Sequence, residues 1–134
     1  MHDSHFQLLL HAARSQPDPQ RLLFVFAAAV LPSDASAAQR LQFDEGDGGE
    51  LTPVMCVDKD PHTLTTFEAL NAESLHTGNA WQVLFVAGLS GMKMTLPSES
   101  QIARALDEMV ESVRQGSIDR YAAYDVRGEP LSFT

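Results

Sequence analysis

Four side chains of types that can take part in catalysis occur at alternate positions of one short segment. The segment MCVDKDPH carries Cys56, Asp58, Asp60 and His62. Alternate residues of an extended strand share one face, so Cys56 and Asp58 are expected to point the same way at the end of a strand. With Cys56 as nucleophile and His62 as its base, the segment would serve thiol-dependent catalysis. The simpler interpretation makes Cys56 a small buried residue, Asp60 a helix N-cap and His62 a solvated residue of the first helical turn.

A second candidate site is the segment GLSGMK, which runs from Gly88 to Lys93 between an apolar run and a helical pattern. Backbone amides at such a strand-to-helix connection can hold a phosphate group. Gly88, Ser90, Gly91 and Lys93 are therefore candidate ligand-binding residues. Their spacing differs from the Walker A motif and from G-x-G-x-x-G. The alternative is a plain connection between a strand and a helix.

Patterns for binding a metal are incomplete. His2, His5 and His11 occur near the start of the chain, but neither cysteine nor a further clustered histidine completes a four-ligand zinc set. The acidic stretch from Asp44 to Glu50 has glycine where a calcium loop needs oxygen ligands at its third and fifth positions. We expect no metal or other cofactor.

Hydrophobic periodicity arranges these segments in an alternating series of helices and strands. Helices are predicted over residues 4–15, 33–45, 60–78 and 98–116. Strands are predicted over residues 21–31, 51–57, 80–87, 119–126 and 129–134. The run over residues 21–31 is apolar throughout most of its length, which is typical of a central strand buried on both faces. Its three consecutive alanines also allow a helix.

Local signals predict where several elements begin and end. Capping signals are Ser4 with Gln7, Ser33 or Asp34, Asp60 followed by Pro61, and Ser98 with Gln101. Helix-ending glycines are Gly46, Gly78 and Gly116. Residues expected to turn the third helix toward the core are Leu64, Phe67, Leu70 and Leu75. Pro53 has no backbone N–H, so it favours an edge position for the strand over residues 51–57.

The predicted fold class is α/β: one domain over residues 1–134, with a mixed sheet of about five strands and about four helices packed on it. The last two strands would form a hairpin around Arg127 and Gly128, which makes the sheet mixed rather than all-parallel. An alternative keeps the first two strands as an antiparallel pair, with residues 33–45 as an excursion between them. The sequence leaves both arrangements open.

Composition excludes several classes of function. The 134 residues carry nine Lys plus Arg against eighteen Asp plus Glu, a formal net charge of −9. Nucleic acids and anionic lipid surfaces require a positive protein surface, so neither is an expected partner. The longest apolar run, LLFVFAAAVL, is about half of the roughly 20 residues that cross a bilayer. A lone cysteine and the lack of a secretory signal favour the cytoplasm.

Several stretches together carry a resemblance to a known group. They are RLLFVFA from residue 21, GELTPVMCVDKDP from residue 49, WQVLFVAGLSG from residue 81 and RGEPL from residue 127. The chain resembles small bacterial proteins often labelled "ribonucleotide reductase subunit alpha". That chemistry needs a thiyl-forming cysteine, a reducing cysteine pair and a large barrel, whereas this chain has only Cys56. The resemblance therefore implies a family without that activity. The order of elements is also similar to the N-terminal region of the enhanced-serine-sensitivity proteins, which implies a fold analogy only.

Two functions follow as hypotheses. The first is a non-enzymatic interaction or self-assembling module, whose partner is another protein or a second copy in a homodimer. A sheet edge near Pro53 or at the C-terminal hairpin would form its interface. The second is a small-ligand-binding or thiol-dependent enzyme that combines the Cys56–His62 region with the Gly88–Lys93 segment. Those two segments would meet if their strands were parallel neighbours.

Overall fold

In the part of the chain that the structure describes, four helices accompany a four-stranded antiparallel sheet. The computed structural model describes residues 4–30, 36–44, 50–78 and 80–132. The elements are α1 (His5–Arg14), β1 (Gln20–Val30), α2 (Ala37–Asp44), β2 (Glu50–Lys59), α3 (Phe67–Leu75), β3 (Val83–Ser90), α4 (Glu99–Arg114) and β4 (Ala122–Tyr124). The strand order is β2-β1-β3-β4. The α/β class and the prediction of about four helices are confirmed. A mixed sheet of about five strands was predicted, whereas the described residues form an antiparallel sheet of four.

The direction of the strands differs from the main prediction because β1 and β2 are antiparallel neighbours. β1 also pairs antiparallel with β3, so it lies between the two. α2 lies in the connection from β1 to β2, and this is the excursion that the alternative arrangement proposed. A helix between two strands usually indicates a parallel crossover. Local periodicity cannot distinguish that crossover from a helical excursion within an antiparallel pair.

The C-terminal hairpin is shorter than predicted. β4 has three residues, and the following segment contacts it through an isolated bridge between Tyr124 and Pro130. The turn lies where the sequence placed it, with Gly128 at a φ of +83°. The Asp125 carboxylate accepts hydrogen bonds from the backbone N–H groups of Arg127 and Glu129. Two backbone hydrogen bonds flank this bridge, from Leu131 N to the Ala123 carbonyl and from Asp125 N to the Glu129 carbonyl, and regular strand pairing extends no further within the described residues.

The sheet separates two hydrophobic cores. On one face, α1 and α3 cover a core rich in aromatic rings: Phe6, Leu10, Phe24, Phe26, Phe67, Leu70, Trp81 and Tyr124. The fully buried Phe6 ring makes edge-to-face contacts with Phe67 and Tyr124, with centroids 5.6 and 5.5 Å away. On the other face, Met109 and Val113 of α4 pack against Leu23, Val25 and Phe85 of the sheet to form the second core. Burial of β1 on both faces confirms its prediction as a central strand.

Tyr121 and Tyr124, three residues apart, lie on opposite faces of the sheet. Tyr121 packs beside α4, whereas Tyr124 is fully buried under α1. Burial raises the pKa of the Tyr124 hydroxyl to about 12, so the hydroxyl stays protonated. It lies 2.7 Å from His5 Nδ1, which connects β4 to the first turn of α1.

Most predicted helix ends are confirmed, but α3 begins later than expected. Ser4 and Ser98 cap α1 and α4, and Ser98 with Gln101 forms a full capping box. Asp60 does not cap a helix, because its carboxylate accepts the backbone N–H of His62 in a local turn. Thr66 caps α3 instead.

The later start of α3 changes which residues face the core. Leu64, Phe67 and Leu70 are buried as predicted, but Leu75 is 67% exposed. Ser74 takes the inward position beside it and accepts a hydrogen bond from the Trp81 indole at 2.9 Å. Gly78 follows α3 with a φ of +77°, as expected for a helix-ending glycine. Ser33, Asp34 and Gly46 lie outside the described residues, and Ser36 exchanges hydrogen bonds with Gln39 at the start of α2.

The connection from β3 to α4 contains a strained tight turn. Met92 and Thr95 exchange backbone hydrogen bonds of 3.0 and 2.9 Å. The central residues Lys93 and Met94 have φ angles of +51° and +65°, although neither is glycine. A left-handed conformation costs an L-residue about 1–2 kcal/mol.

We expect Met94→Gly to stabilise the protein by roughly 1 kcal/mol, because relief of the strain exceeds the added entropy of unfolded glycine. Gly91→Ala is the opposite case: its Cβ would lie 1.8 Å from the Thr95 carbonyl oxygen, so it should destabilise the protein. Equilibrium urea unfolding of both variants measures the effect. A lower unfolding midpoint for Met94→Gly would contradict the interpretation of strain.

Candidate functional site

A groove lies between the sheet and the first half of α4. Its volume is about 460 Å³. The residues that line it are Arg21, Asp58, Leu96, Pro97, Glu99, Ile102, Ala103 and Leu106. A helix is about 10 Å across, whereas the outer strands of a four-stranded sheet lie about 14 Å apart. One helix on this face therefore leaves open space along its flanks.

An ion pair between Arg21 and Asp58 forms the polar end of the groove. Arg21 Nε donates to Asp58 Oδ2 at 2.6 Å, and each side chain is 29% exposed. The sheet register explains the contact: Asp58 lies opposite Leu23, and Arg21 is two residues from Leu23 on the same face. A long arginine side chain spans that diagonal. Both groups are partly shielded from water. Removal of either one is therefore expected to destabilise the protein, because it leaves the other charge unpaired.

Cys56 lies on the same face of β2 as Asp58, as predicted, but the expectation that it is buried is wrong. The residue is solvent-exposed at the rim of the sheet. The surrounding protein withdraws part of the water from its thiol, and this desolvation raises the thiol pKa above its usual value. The carboxylates of Asp107 and Asp58 raise the pKa further. The thiol is therefore protonated at neutral pH, which is opposite to what a reactive cysteine needs.

His62 is not brought to Cys56. It lies in the turn after β2, and that turn is fastened to α1 by the Arg14 guanidinium, which donates to the carbonyls of Pro61 and Leu64 at 2.6 and 2.8 Å. α1 covers the face of the sheet opposite α4, whereas Cys56 faces the α4 side. Three residues of strand, about 10 Å, also separate Cys56 from the end of β2. Among the described residues, no hydrogen bond joins the two side chains.

The Gly88–Lys93 segment differs from the predicted loop. Gly88 and Ser90 belong to β3, and Gly91 donates its N–H to the Pro19 carbonyl at 2.9 Å. Lys93 lies in the tight turn, and α4 begins only at Glu99. The amides of Gly88, Ser90 and Gly91 therefore do not lie at the N-terminus of the helix.

The two predicted site segments lie at the same end of the strands in the sheet, but they do not contact each other. β2 and β3 are both antiparallel to β1, so they are parallel to each other, and Lys59, Leu22 and Gly88 form one row across the sheet. β1 lies between the two strands, which puts them about 10 Å apart. Of the predicted site residues, Asp58 lines the groove, together with Leu96 and Pro97 from the connection that follows the second segment.

Comparison with known proteins gives no family for this chain. No family model, curated protein or solved structure matches it. The resemblance stated from the sequence thus stays a prediction, and the function must be argued from the site itself.

Two further findings concern metals and membranes. Within the described residues, no group of three or more His, Cys, Asp or Glu side chains could hold a metal ion. No helix in that part of the chain combines the length and apolar character needed to cross a membrane.

Sequence reasoning missed Arg21, Glu99 and Asp107. Arg21 directly precedes the apolar run of β1, and Asp58 directly follows the apolar run of β2. In an antiparallel pair, the start of one strand lies beside the end of the next, so the antiparallel alternative would have predicted their contact. Glu99 and Asp107 occupy two turns of α4 and give no signal in the sequence, because exposed carboxylates are common on helices.

We expect Asp58→Asn to destabilise the protein by about 1–2 kcal/mol, since it leaves the half-buried Arg21 charge without its partner. Glu111→Gln breaks the exposed pair with Arg114, where the side chains are 51% and 63% accessible, and should cost well under about 1 kcal/mol. Urea unfolding measures both, and a double-mutant cycle with Arg21→Met isolates the coupling. Equal losses for Asp58→Asn and Glu111→Gln would refute the special role of the Arg21 pair.

We expect alkylation of Cys56 by iodoacetamide to reach half its maximal rate at a higher pH in the folded protein than in urea. Asp107→Asn should lower that midpoint, because it removes a negative charge that opposes the thiolate. Glu68→Gln, on the opposite face, serves as the control. A folded midpoint below the unfolded one would instead indicate an activated cysteine.

Proposed function

We propose that the protein is a non-enzymatic interaction module that binds a partner chain by accepting an added strand at the free edge of β2. The observation that supports this proposal most is the open edge itself. Among the strands of the described residues, β2 is the outermost, with β1 on one side only. Extended segments add to such edges through main-chain hydrogen bonds, while alternate side chains enter nearby pockets.

The register identifies which backbone groups point outward from β2. Ala27 and Pro19 accept hydrogen bonds from Gln82 and Gly91, so odd-numbered residues of β1 direct their backbone groups to β3. Even-numbered residues of β1 then face β2. Cys56 and Asp58 lie opposite the odd-numbered Val25 and Leu23. Their N–H and C=O groups therefore point away from β1, toward the position of an added strand.

The earlier part of β2 is less suited to pairing. A bulge leaves Val54 without an opposite residue, because Met55 pairs with Phe26 and Pro53 with Ala27. Pro53 has no N–H to donate, and bulges twist an edge away from regular pairing. These features confine the open segment to the residues after Val54.

Both faces of that open segment border a groove. On the α4 side lies the groove that contains Asp58. On the α3 side lies a smaller one of about 180 Å³ beside Met55 and Val57, which reaches Leu70 and Thr77. Successive side chains of a strand point to opposite faces. An added strand would thus place alternate side chains in the two grooves.

The second hypothesis, a small-ligand-binding or thiol-dependent enzyme, has less support. The raised pKa of Cys56 disfavours its thiolate, and His62 lies in a turn fastened to the other face. The Gly88–Lys93 segment is separated from Cys56 by β1. The larger groove has room for a small molecule, so the test below includes a bound small-molecule ligand as a separate outcome.

Native mass spectrometry of the untagged protein purified from cells tests the proposal, using the wild type, Cys56→Ala and Cys56→Pro. Proline removes the outward N–H of residue 56 and leaves the hydrogen bonds to β1 intact, so both variants should fold. We expect a complex with another protein or with a second copy for the wild type and Cys56→Ala, and its loss for Cys56→Pro. Circular dichroism checks the fold.

Two results would overturn the proposal. One is a complex that persists unchanged in Cys56→Pro, which would place the interface elsewhere. The other is a monomer in all three samples with a reproducible small-molecule adduct, which would favour the ligand-binding hypothesis.

A further inference from the structure

We infer that the strand accepted by β2 belongs to a different protein and is basic, with Lys or Arg side chains toward α4 alternating with apolar side chains toward α3. This inference rests on the function proposed above and adds the chemistry of the partner. It follows from the charges on one side of the open edge, the apolar lining on the other, and the alternation of side chains along any strand.

The α4 side of the open edge carries an excess of negative charge. Arg21 is the one cation that lines the groove there, and Asp58 pairs with it. Glu99 also lines this groove, and Asp107 lies close enough to Cys56 to raise the thiol pKa. Neither Glu99 nor Asp107 forms an ion pair within the described residues. Two carboxylates thus remain to attract a cation.

The other charges of α4 do not cancel this excess. Arg104 and Glu108 line a separate groove on the β3 side of the helix. Arg114 is in the last turn of α4, where it pairs with Glu111. A side chain that entered from the β2 edge would therefore meet carboxylates first.

The α3 side of the same edge is apolar. Phe26, Met55, Val57 and Leu70 line its groove. Glu73, its one charged residue, pairs with Lys59 at 2.6 Å. An aliphatic side chain would fill this groove, whereas an unpaired charge there would lose water without gaining a partner.

The same charges argue against a second copy of this chain as the occupant. A pair of β2 strands would bring the Asp58 of each copy toward the Glu99 and Asp107 side of the other. Like charges that face each other across strands are destabilising. Each copy also carries a net charge of −9. A basic strand from another protein avoids this repulsion and is attracted over a longer range.

Three synthetic peptides that carry the same neutral fluorophore test the inference on the full chain. With the fluorophore on the N-terminal amine, their sequences are GKVKVKVG-NH2, GSVSVSVG-NH2 and GEVEVEVG-NH2. We expect fluorescence polarisation to show at least tenfold tighter binding of the lysine peptide than of the other two. Raising the salt from about 0.05 to 0.5 M should weaken this binding several-fold, because exposed charges are then screened. Amide chemical shifts should change along Met55–Lys59.

Charge reversal provides the sharper control. Glu99→Lys with Asp107→Lys should transfer the preference to the glutamate peptide. Glu108→Lys with Asp119→Lys makes the same charge change away from this edge and should keep the preference for lysine. Cys56→Pro should remove binding of every peptide, whereas Cys56→Ala should not.

The outcomes separate the inference from the function on which it rests. Equal binding of all three peptides, lost in Cys56→Pro, would overturn the basic partner and leave the edge function standing. Binding of the lysine peptide that survives Cys56→Pro would overturn both, because the contact would then be electrostatic without an added strand. Absence of binding for all peptides would overturn the inference, and the native complexes would then decide the function alone.

Discussion

The burial of β1 on both faces and along both edges is the constraint on which the rest of the structure depends. Residues 22–27 are all buried, so their alternate side chains form the centres of two separate cores. α1 and α3 must cover one core, and α4 must cover the other. The strands beside β1 follow from its backbone groups, which pair with β2 and β3. In the described part of the chain, no strand lies on the outer side of β2.

Local sequence signals predict the elements well because they act over a few residues. The capping serines of α1 and α4, the apolar run of β1 and the turn at Gly128 all lie where the sequence placed them. Strand order depends on contacts between distant segments, and the alternation of helices and strands favoured the wrong direction for β2. The contact between Arg21 and Asp58 was missed for the same reason, since it exists only in the antiparallel register.

The start of α3 shows how tertiary contacts override a local signal. Asp60 followed by Pro61 is a good helix start, yet Asp60 closes a turn with His62, and Arg14 fixes that turn through two backbone carbonyls. The helix begins instead at Phe67, where the aromatic side chain reaches Phe6 in the core. The position of Glu99 and Asp107 beside the open edge was equally invisible, because it follows from the packing of α4 and not from any motif.

The bulge at Val54 and the proline beside it have a consequence for the lifetime of any complex at this edge. They leave only the backbone groups of Cys56 and Asp58 as outward pairing sites in regular register. Each hydrogen bond contributes about 0.5–1.5 kcal/mol net, so such a short ladder holds a complex for long only where side chains also fill the two grooves. The same brevity keeps the sheet from growing strand by strand into larger aggregates.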